Sequence, residues 1–367
     1  MTKHFALLAD LHLHPWSSFA STDERGVNTR LAALLGEIKR ASKEVKEAGG
    51  DIVIFAGDVF HVRGSVSPTV LNATIETLAL CHELYAVHFV IIPGNHDLEG
   101  KDSTKLGSAV TALECSHVTV LNSAGMDPRL GIYYVPWFEK VNALKAELER
   151  IDPDLRPEYS VIMHAPIDGV IPGLPMHGLD PEYLASLGYK RIFAGHYHDH
   201  KLMYGGLSGS MTYDSDIYSI GALAHHTWSD VGSKAGFLIV APDSVRWMKS
   251  HLPEFIDLTR MVDLEPDDIP MLVDQNFVRV RTEHVKSKEI EEVRQSLLDM
   301  GARAVLVQPE PKPAPVESRP GVAPIKAGAS LESSVTNFIG SMGSLRDHAA
   351  VAKEAMNVLG SVSTLGA

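Results

Sequence analysis

The 367-residue sequence predicts an α/β fold built on parallel strands. Three observations predict it. Short apolar runs rich in β-branched and aromatic residues (FALLA at 5–9, DIVIFA at 51–56, VII at 90–92) each stop abruptly at a polar residue, Gly or Pro. Amphipathic helical patterns separate the first three runs. Two such βα units with short connections imply parallel strands joined by right-handed crossovers. Finally, five apolar runs are followed at once by Asp, Asn or His. In α/β sheets the chemistry sits just past the carboxyl ends of the strands.

Composition sets the bounds. Hydrophobic residues make up 45% and charged residues 22% of the chain, the balance of a globular protein with a large core. No apolar run approaches the roughly 18 residues of a spanning helix, so no membrane association is expected. MTKHFALLADLH enters a strand directly, without a signal-peptide pattern. The two cysteines, Cys81 and Cys115, lack metal-type spacing and suit a reducing compartment, which predicts a cytoplasmic protein. A net charge of −13 argues against coating nucleic acid by bulk charge. It leaves room for a local basic surface, or for cations that offset the deficit.

Taken in order, strand 5–9 ends in Asp10-Leu11-His12, whose alternation lets Asp10 and His12 face one ion. His14 continues that alternation behind them. Residues 28–48 read as a helix with Leu31, Leu34, Leu35, Ile38 and Val45 on one face, closed by Gly49-Gly50. Strand 51–56 leads into Gly57-Asp58-Val59-Phe60-His61. A second helix spans 68–85, starting near Pro68. Strand 86–92 delivers Pro93-Gly94-Asn95-His96-Asp97. Residues 104–114 look helical, 118–121 and 131–135 extended. Strand 160–163 delivers His164, a short helix covers 180–187, and strand 191–194 delivers Gly195-His196-Tyr197-His198. The stretch 204–219 reads as loop and short strand. A hairpin at 236–241 and 244–248 closes a first domain near residue 260.

Residues 275–308 form a strand–helix–strand unit. Six prolines in 309–329 read as a linker, and 331–342 followed by about 345–359 read as two helices too short to fold alone. The expected organisation is a main domain at 1–260, a cap at 261–308, a Pro-rich linker at 309–330 and a helical tail at 331–367.

A single strand-end histidine is more often a turn or core residue than a ligand. Five strand ends presenting Asp10/His12, Asp58, Asn95/His96, His164 and His196/His198 are hard to explain as turns. They point to a two-metal site. Carboxylate, imidazole and amide oxygen together suit manganese, iron or zinc better than calcium or magnesium, and Asp58 is placed to bridge. The ligating histidines must be neutral, so activity should fall at acid pH.

The order DxH, GD, GNHD, H and GHxH resembles the calcineurin-like metallophosphoesterases over about residues 3–240. That resemblance implies a four-layer α/β/β/α sandwich with a small α+β cap. It also implies two divalent ions, Mn²⁺ first, with Fe²⁺, Zn²⁺ or Mg²⁺ as alternatives. Metal one would take Asp10, His12, Asp58 and His198, and metal two Asp58, Asn95, His164 and His196. His96 would protonate the leaving oxygen, with Asp97 holding it in orientation. Within the superfamily the chain looks most like the SbcD-type double-strand-break repair nucleases. GDVFH at 57–61 matches their signature and makes His61 a second substrate-facing histidine. Tyr218–Ala222 and Lys234–Phe237 are similar to their "YPGS … KGF" run, although the proline is missing and Ala222 replaces its serine.

The resemblance implies a homodimeric DNA exonuclease or endonuclease acting in repair and recombination. The helical tail would bind a coiled-coil ATPase of the SbcC type. Arg279, Arg281, Lys286 and Lys288 in the cap are the candidate DNA contacts. A phosphodiesterase or phosphatase of free nucleotides is the alternative, and a non-catalytic scaffold of a DNA-processing complex the third reading.

Overall fold

The computed structural model describes residues 4–205, 213–260, 265–282 and 287–309, together with 335–336, 338–339 and 347–365. Met1–Gln308 forms one compact unit and Pro309–Ala367 another.

The first unit carries two six-stranded sheets. In sheet I, β1 (Phe5–Leu8), β2 (Ile52–Ala56), β3 (His88–Ile92) and β4 (Val118–Val120) run parallel. The hairpin β11 (Gly236–Ala241) and β12 (Ser244–Lys249) joins antiparallel beside β1, giving the order β12-β11-β1-β2-β3-β4. Sheet II has parallel β6 (Ile132–Val135), β7 (Ser160–His164), β8 (Arg191–Gly195) and β10 (Asp216–Ser219). Antiparallel β5 (Gly125–Asp127) and β9 (Lys201–Tyr204) form its edges.

Side-chain alternation divides the core into layers. Leu7, Ile54, Ile92, Ile132, Ile162 and Phe193 fill the space between the sheets. Leu8, Phe55, Phe89 and Ile91 face the other way, against α1 (Thr29–Glu47) and α2 (Pro68–Tyr85). Tyr133, Val161, Met163 and Ile192 face α3 (Val141–Glu149) and α4 (Pro181–Ser186). The result is a mixed α/β fold of two large sheets flanked by helices, as the sequence predicts. Strands buried on both faces explain why their runs are apolar without alternation.

Local chemistry fixes the helix ends. The Asn28 side chain caps α1, accepting from the amides of Arg30 (3.0 Å) and Leu31 (3.1 Å). Ala86 closes α2 in the left-handed region at φ 53°, so β3 starts at His88 rather than at 86. The helix expected over 104–114 is only a 3₁₀ turn at Ala109–Leu113. Side chains there compete with a helical ladder: Thr104 Oγ1 accepts from the Gly107 amide at 3.1 Å, and Ser103 Oγ donates to the Asn122 carbonyl at 2.8 Å. Helix α3 and strands β5 and β9 are short elements that the sequence reading lacks.

A third sheet, β13 (Phe255–Asp257), β14 (Phe277–Thr282) and β15 (Ala304–Pro309), packs with α5 (Ile269–Val273) and α6 (Ser287–Asp299). The strand–helix–strand unit thus has a further strand, which begins before residue 260. Phe19 stacks on Phe277 at 4.8 Å and Trp228 meets Phe255 edge-on at 4.8 Å. In the second unit, α7 spans His348–Leu365, running past the expected end at 359. Residues 310–334, and with them nearly all of the Pro-rich linker, lie outside the described residues, as do Leu331 and Met342 of the tail stripe. No helix among the described residues is long and apolar enough to cross a membrane.

Candidate metal centre

Five strand ends from the two sheets converge on one point. β1, β2 and β3 supply Asp10/His12, Asp58 and Asn95/His96; β7 and β8 supply His164 and His196/His198. The β1–β2 ladder continues past both strands, with the Asp10 amide bonded to the Gly57 carbonyl (3.1 Å) and the His12 amide to that of Asp58 (3.0 Å). His164 Nδ1 donates to the Ala56 carbonyl at 2.8 Å, tying β7 to β2 across the sandwich.

The backbone is strained here. Among the described residues seven non-glycines have positive φ, and four of them are Asp10 (49°), His12 (44°), Asp58 (52°) and His196 (112°). Such conformations cost about 1–3 kcal/mol each and persist where the surroundings over-determine them. Close packing adds to this. A Cβ on Gly57, itself at φ 89°, would overlap the His164 ring. Gly57→Ala is therefore expected to lower stability by about 2–4 kcal/mol, from strain plus overpacking, in urea unfolding.

The candidate ligands form two adjoining groups, and His12 belongs to a third with His61 and His96. Asp10, His12 and His198 have donor atoms within 4.8 Å of one another, as do Asp58, His164 and His196. His12 Nε2 lies 3.2 Å from His198 Nε2. Asn95 Oδ1 sits 3.1 Å from both His164 Nε2 and His196 Nδ1. Asp58 Oδ2 lies between the groups, 3.4 Å from His164 Nε2 and 3.8 Å from His12 Nε2. The Nδ1 atoms of His164 and His198 are both spent on acceptors, so once either ring gives up a proton its Nε2 lone pair faces the cluster of carboxylate and amide oxygens. Acceptors facing acceptors in a buried site are the donor set of a cation. Carboxylates with imidazoles fit transition metals.

Electrostatics separates these histidines. Burial depresses His12 and holds His196 down to about 3. Burial works the same way on His164, but Asp58 overrides it and lifts that imidazole to about 9. His198 is raised too, by Asp230 and Asp10 against its burial. A raised imidazole holds its proton at neutral pH until an ion displaces it; a depressed one has none to lose. Mn²⁺ affinity should therefore rise as pH climbs toward about 9, where His164 gives up its proton, with proton release on binding below that pH, largely from His164. Calorimetry in two buffers of different ionisation heat measures it.

His96 and His61 stand at the edge of this cluster, their rings stacked with centroids 5.6 Å apart. His96 Nδ1 donates to the His61 carbonyl at 2.6 Å, which leaves Nε2 free to face a substrate, and its amide donates to Asp58 Oδ1 at 2.8 Å. Asp97 does not hold the His96 ring. Its buried carboxylate accepts from the amides of Val59, Phe60 and Gly94 (3.2, 2.9 and 2.9 Å) and pins the 57–60 turn to the 94–97 turn. It clasps the two turns together.

The four cap cations part company. Arg279 is buried, bonded to Asp257 Oδ2 at 2.6 Å and lying over the Trp228 ring, so it does not present a charge to DNA. Lys288 is exposed and within 3.8 Å of Glu292. The Arg281 amide bonds Thr259 Oγ1 (2.8 Å), with its side chain half-buried. Lys286 lies outside the described residues. Arg279→Ala should destabilise the chain by about 2–4 kcal/mol, because it strips a buried carboxylate of its counter-charge.

Three participants escape sequence reading. Trp137 stacks on His196 at 5.3 Å, Asp230 bonds His198 Nδ1 at 2.7 Å, and His226 Nε2 donates to the Asp10 carbonyl at 2.9 Å. Only Asp230 carried a signal, the Thr227-x-x-Asp230 spacing of a capping box.

The profile of the family described as calcineurin-like phosphoesterase matches residues 3–200. The chain belongs to this family. A search of curated proteins gave no match. Among solved structures, the chain is similar to a dimetal phosphatase from the zebrafish Danio rerio. The two are 11% identical, over 68% of this chain and 96% of that one, at a TM-score of 0.39. The phosphoesterase match spans every strand end that supplies a candidate ligand, from Asp10 to His198. It stops short of Asp230 and of the third sheet.

Proposed function

We propose that this phosphoesterase is a two-metal DNA nuclease, the hydrolytic subunit of an SbcCD-type repair complex. The observation that carries hydrolysis is the pairing of two ion-binding groups with a free His96 Nε2 at their edge. Two divalent ions, when bound, supply Lewis acidity for water activation and charge neutralisation at phosphorus. Asp10, His12 and His198 would hold one, His164, His196 and Asn95 the other, and Asp58 both. His96 donates the proton that the departing sugar oxygen needs, and the His61 carbonyl fixes the ring that delivers it.

DNA as substrate is supported by the GDVFH motif, by the Tyr218–Ala222 and Lys234–Phe237 run, and by a third sheet packed beside the site through Trp228. The helical tail, α7 included, is the proposed docking element for the coiled-coil ATPase, with the protein acting as a homodimer. The paired state of Arg279 and Lys288 favours a second reading, a phosphodiesterase of free nucleotides, because it leaves the cap fewer cations for a phosphate backbone. End-labelled linear duplex and an aryl phosphodiester, assayed in parallel with Mn²⁺, separate the two. Degradation of the duplex supports the nuclease; turnover of the small ester alone replaces it.

A further inference from the structure

We propose that Asp230 is the positioning residue of metal site one, and that loop 225–230 ties that site to the third sheet. The proposal rests on the two-metal reading above.

Asp230 lies beyond the metal-binding motifs, and its carboxylate is 4% exposed in side-chain terms. Its two oxygens do different work. Oδ2 accepts from the amides of His226 and Thr227, both at 2.8 Å, and so shapes the loop. Oδ1 takes the Nδ1 proton of His198 at 2.7 Å. That bond selects a tautomer. With hydrogen on Nδ1, the lone pair is on Nε2, the atom that faces His12 Nε2 at 3.2 Å. It also stops the ring from turning about its Cβ–Cγ bond. Neither effect is available to His198 from water alone, because free imidazole exchanges tautomers and rotamers.

The same loop reaches the second anchor of site one. His226 donates through Nε2 to the carbonyl of Asp10, the residue held at φ 49°. Its ring lies 5.1 Å from that of His12 and 5.5 Å from that of His198. The loop is braced from outside. Arg30 Nη2 donates to the carbonyls of His225 (3.2 Å) and His226 (2.9 Å). The Phe255 amide of β13 donates to His225 Nδ1 at 3.0 Å, and Arg279 of β14 covers Trp228 at 4.4 Å. A continuous set of contacts therefore runs from the third sheet to two ligands of one ion. Site two, built on Asn95, His164 and His196, has no contact of this kind with the loop among the bonds described.

The test uses the full chain, stripped of metal and titrated with Mn²⁺ by calorimetry and by electron paramagnetic resonance. Wild type should bind two ions and give the spectrum of a spin-coupled pair. Asp230→Ala should bind one ion as wild type does and the other about 10–100-fold more weakly, leaving the six-line spectrum of an isolated ion at one equivalent. Thr227→Ala, which loosens the loop but keeps the carboxylate, should still bind the pair. Weakening in both variants alike would reduce Asp230 to a loop-shaping residue. A folded Asp230→Ala chain that binds two ions within threefold of wild type overturns the role. Wild type binding fewer than two overturns the two-metal reading with it. If Asp230→Ala does not fold, ¹⁵N-histidine spectra of the wild type loaded with diamagnetic Zn²⁺ decide: the Nδ1–H form of His198 supports the proposal, the Nε2–H form defeats it.

Discussion

His96→Ala should lower the rate of phosphoester cleavage by about 10²–10⁴-fold, the usual range for losing a general acid, while Mn²⁺ content stays at the wild-type level. The reason is geometric. The imidazole is in neither the Asp10–His12–His198 nor the Asp58–His164–His196 group; it clusters with His12 and His61. Its backbone amide touches the Asp58 carboxylate, at 2.8 Å to Oδ1, and alanine keeps that amide. A substrate whose leaving group needs no proton, such as a nitrophenyl diester, should lose far less than an alkyl diester. Steady-state rates on the two esters, with ion content measured on the same samples, check the assignment. Equal losses on both esters would make His96 a binding residue instead.

Asp58→Asn acts on the ions themselves. The Asp58 carboxylate lies within reach of both groups, and its neighbours His164 and His12 hold it well below the usual carboxylate range in spite of its burial. An amide of the same shape keeps the contact to the His96 amide but removes the shared negative charge. Loss of an outer-sphere partner costs 10–100-fold in metal affinity, so losing a shared inner ligand should cost more than about 100-fold. Activity at micromolar Mn²⁺ should disappear, with partial recovery at millimolar Mn²⁺. Calorimetric titration reads the affinity directly. The fold should survive, since the change is isosteric and the site lies at the strand ends rather than in the three apolar layers.

How much of this was legible beforehand follows from range in sequence. The strands announce themselves because parallel strands covered on both faces must be apolar throughout, and each stops where the chain turns toward the site. The candidate ligands were readable for the same reason: Asp10, His12, Asp58, Asn95, His164, His196 and His198 all stand within five residues of a strand end. What failed depends on contacts between distant segments. Asp97 looked like a partner for its neighbour His96, yet three amides, two of them from 59 and 60, claim it. Arg279 looked like a surface cation in an alternating strand, but Asp257, 22 residues earlier, buries it. Asp230 and His226 meet His198 and Asp10 only after β11 returns to pair with β1. The expected helix at 104–114 failed for a local reason, because Ser103 and Thr104 offered their own hydrogen bonds. The third sheet was half visible. Its strand–helix–strand portion has a clear pattern, whereas the three-residue β13 is too short to carry one.

The most direct test of the account is a crystal soaked in Mn²⁺ and measured at the manganese absorption edge. Two anomalous peaks about 3.5–4 Å apart should appear. Asp58 should lie between them, with His12 and His198 on one and His164 and His196 on the other. A single peak, or two peaks that Asp58 does not join, would contradict the two-metal centre on which the proposed chemistry depends.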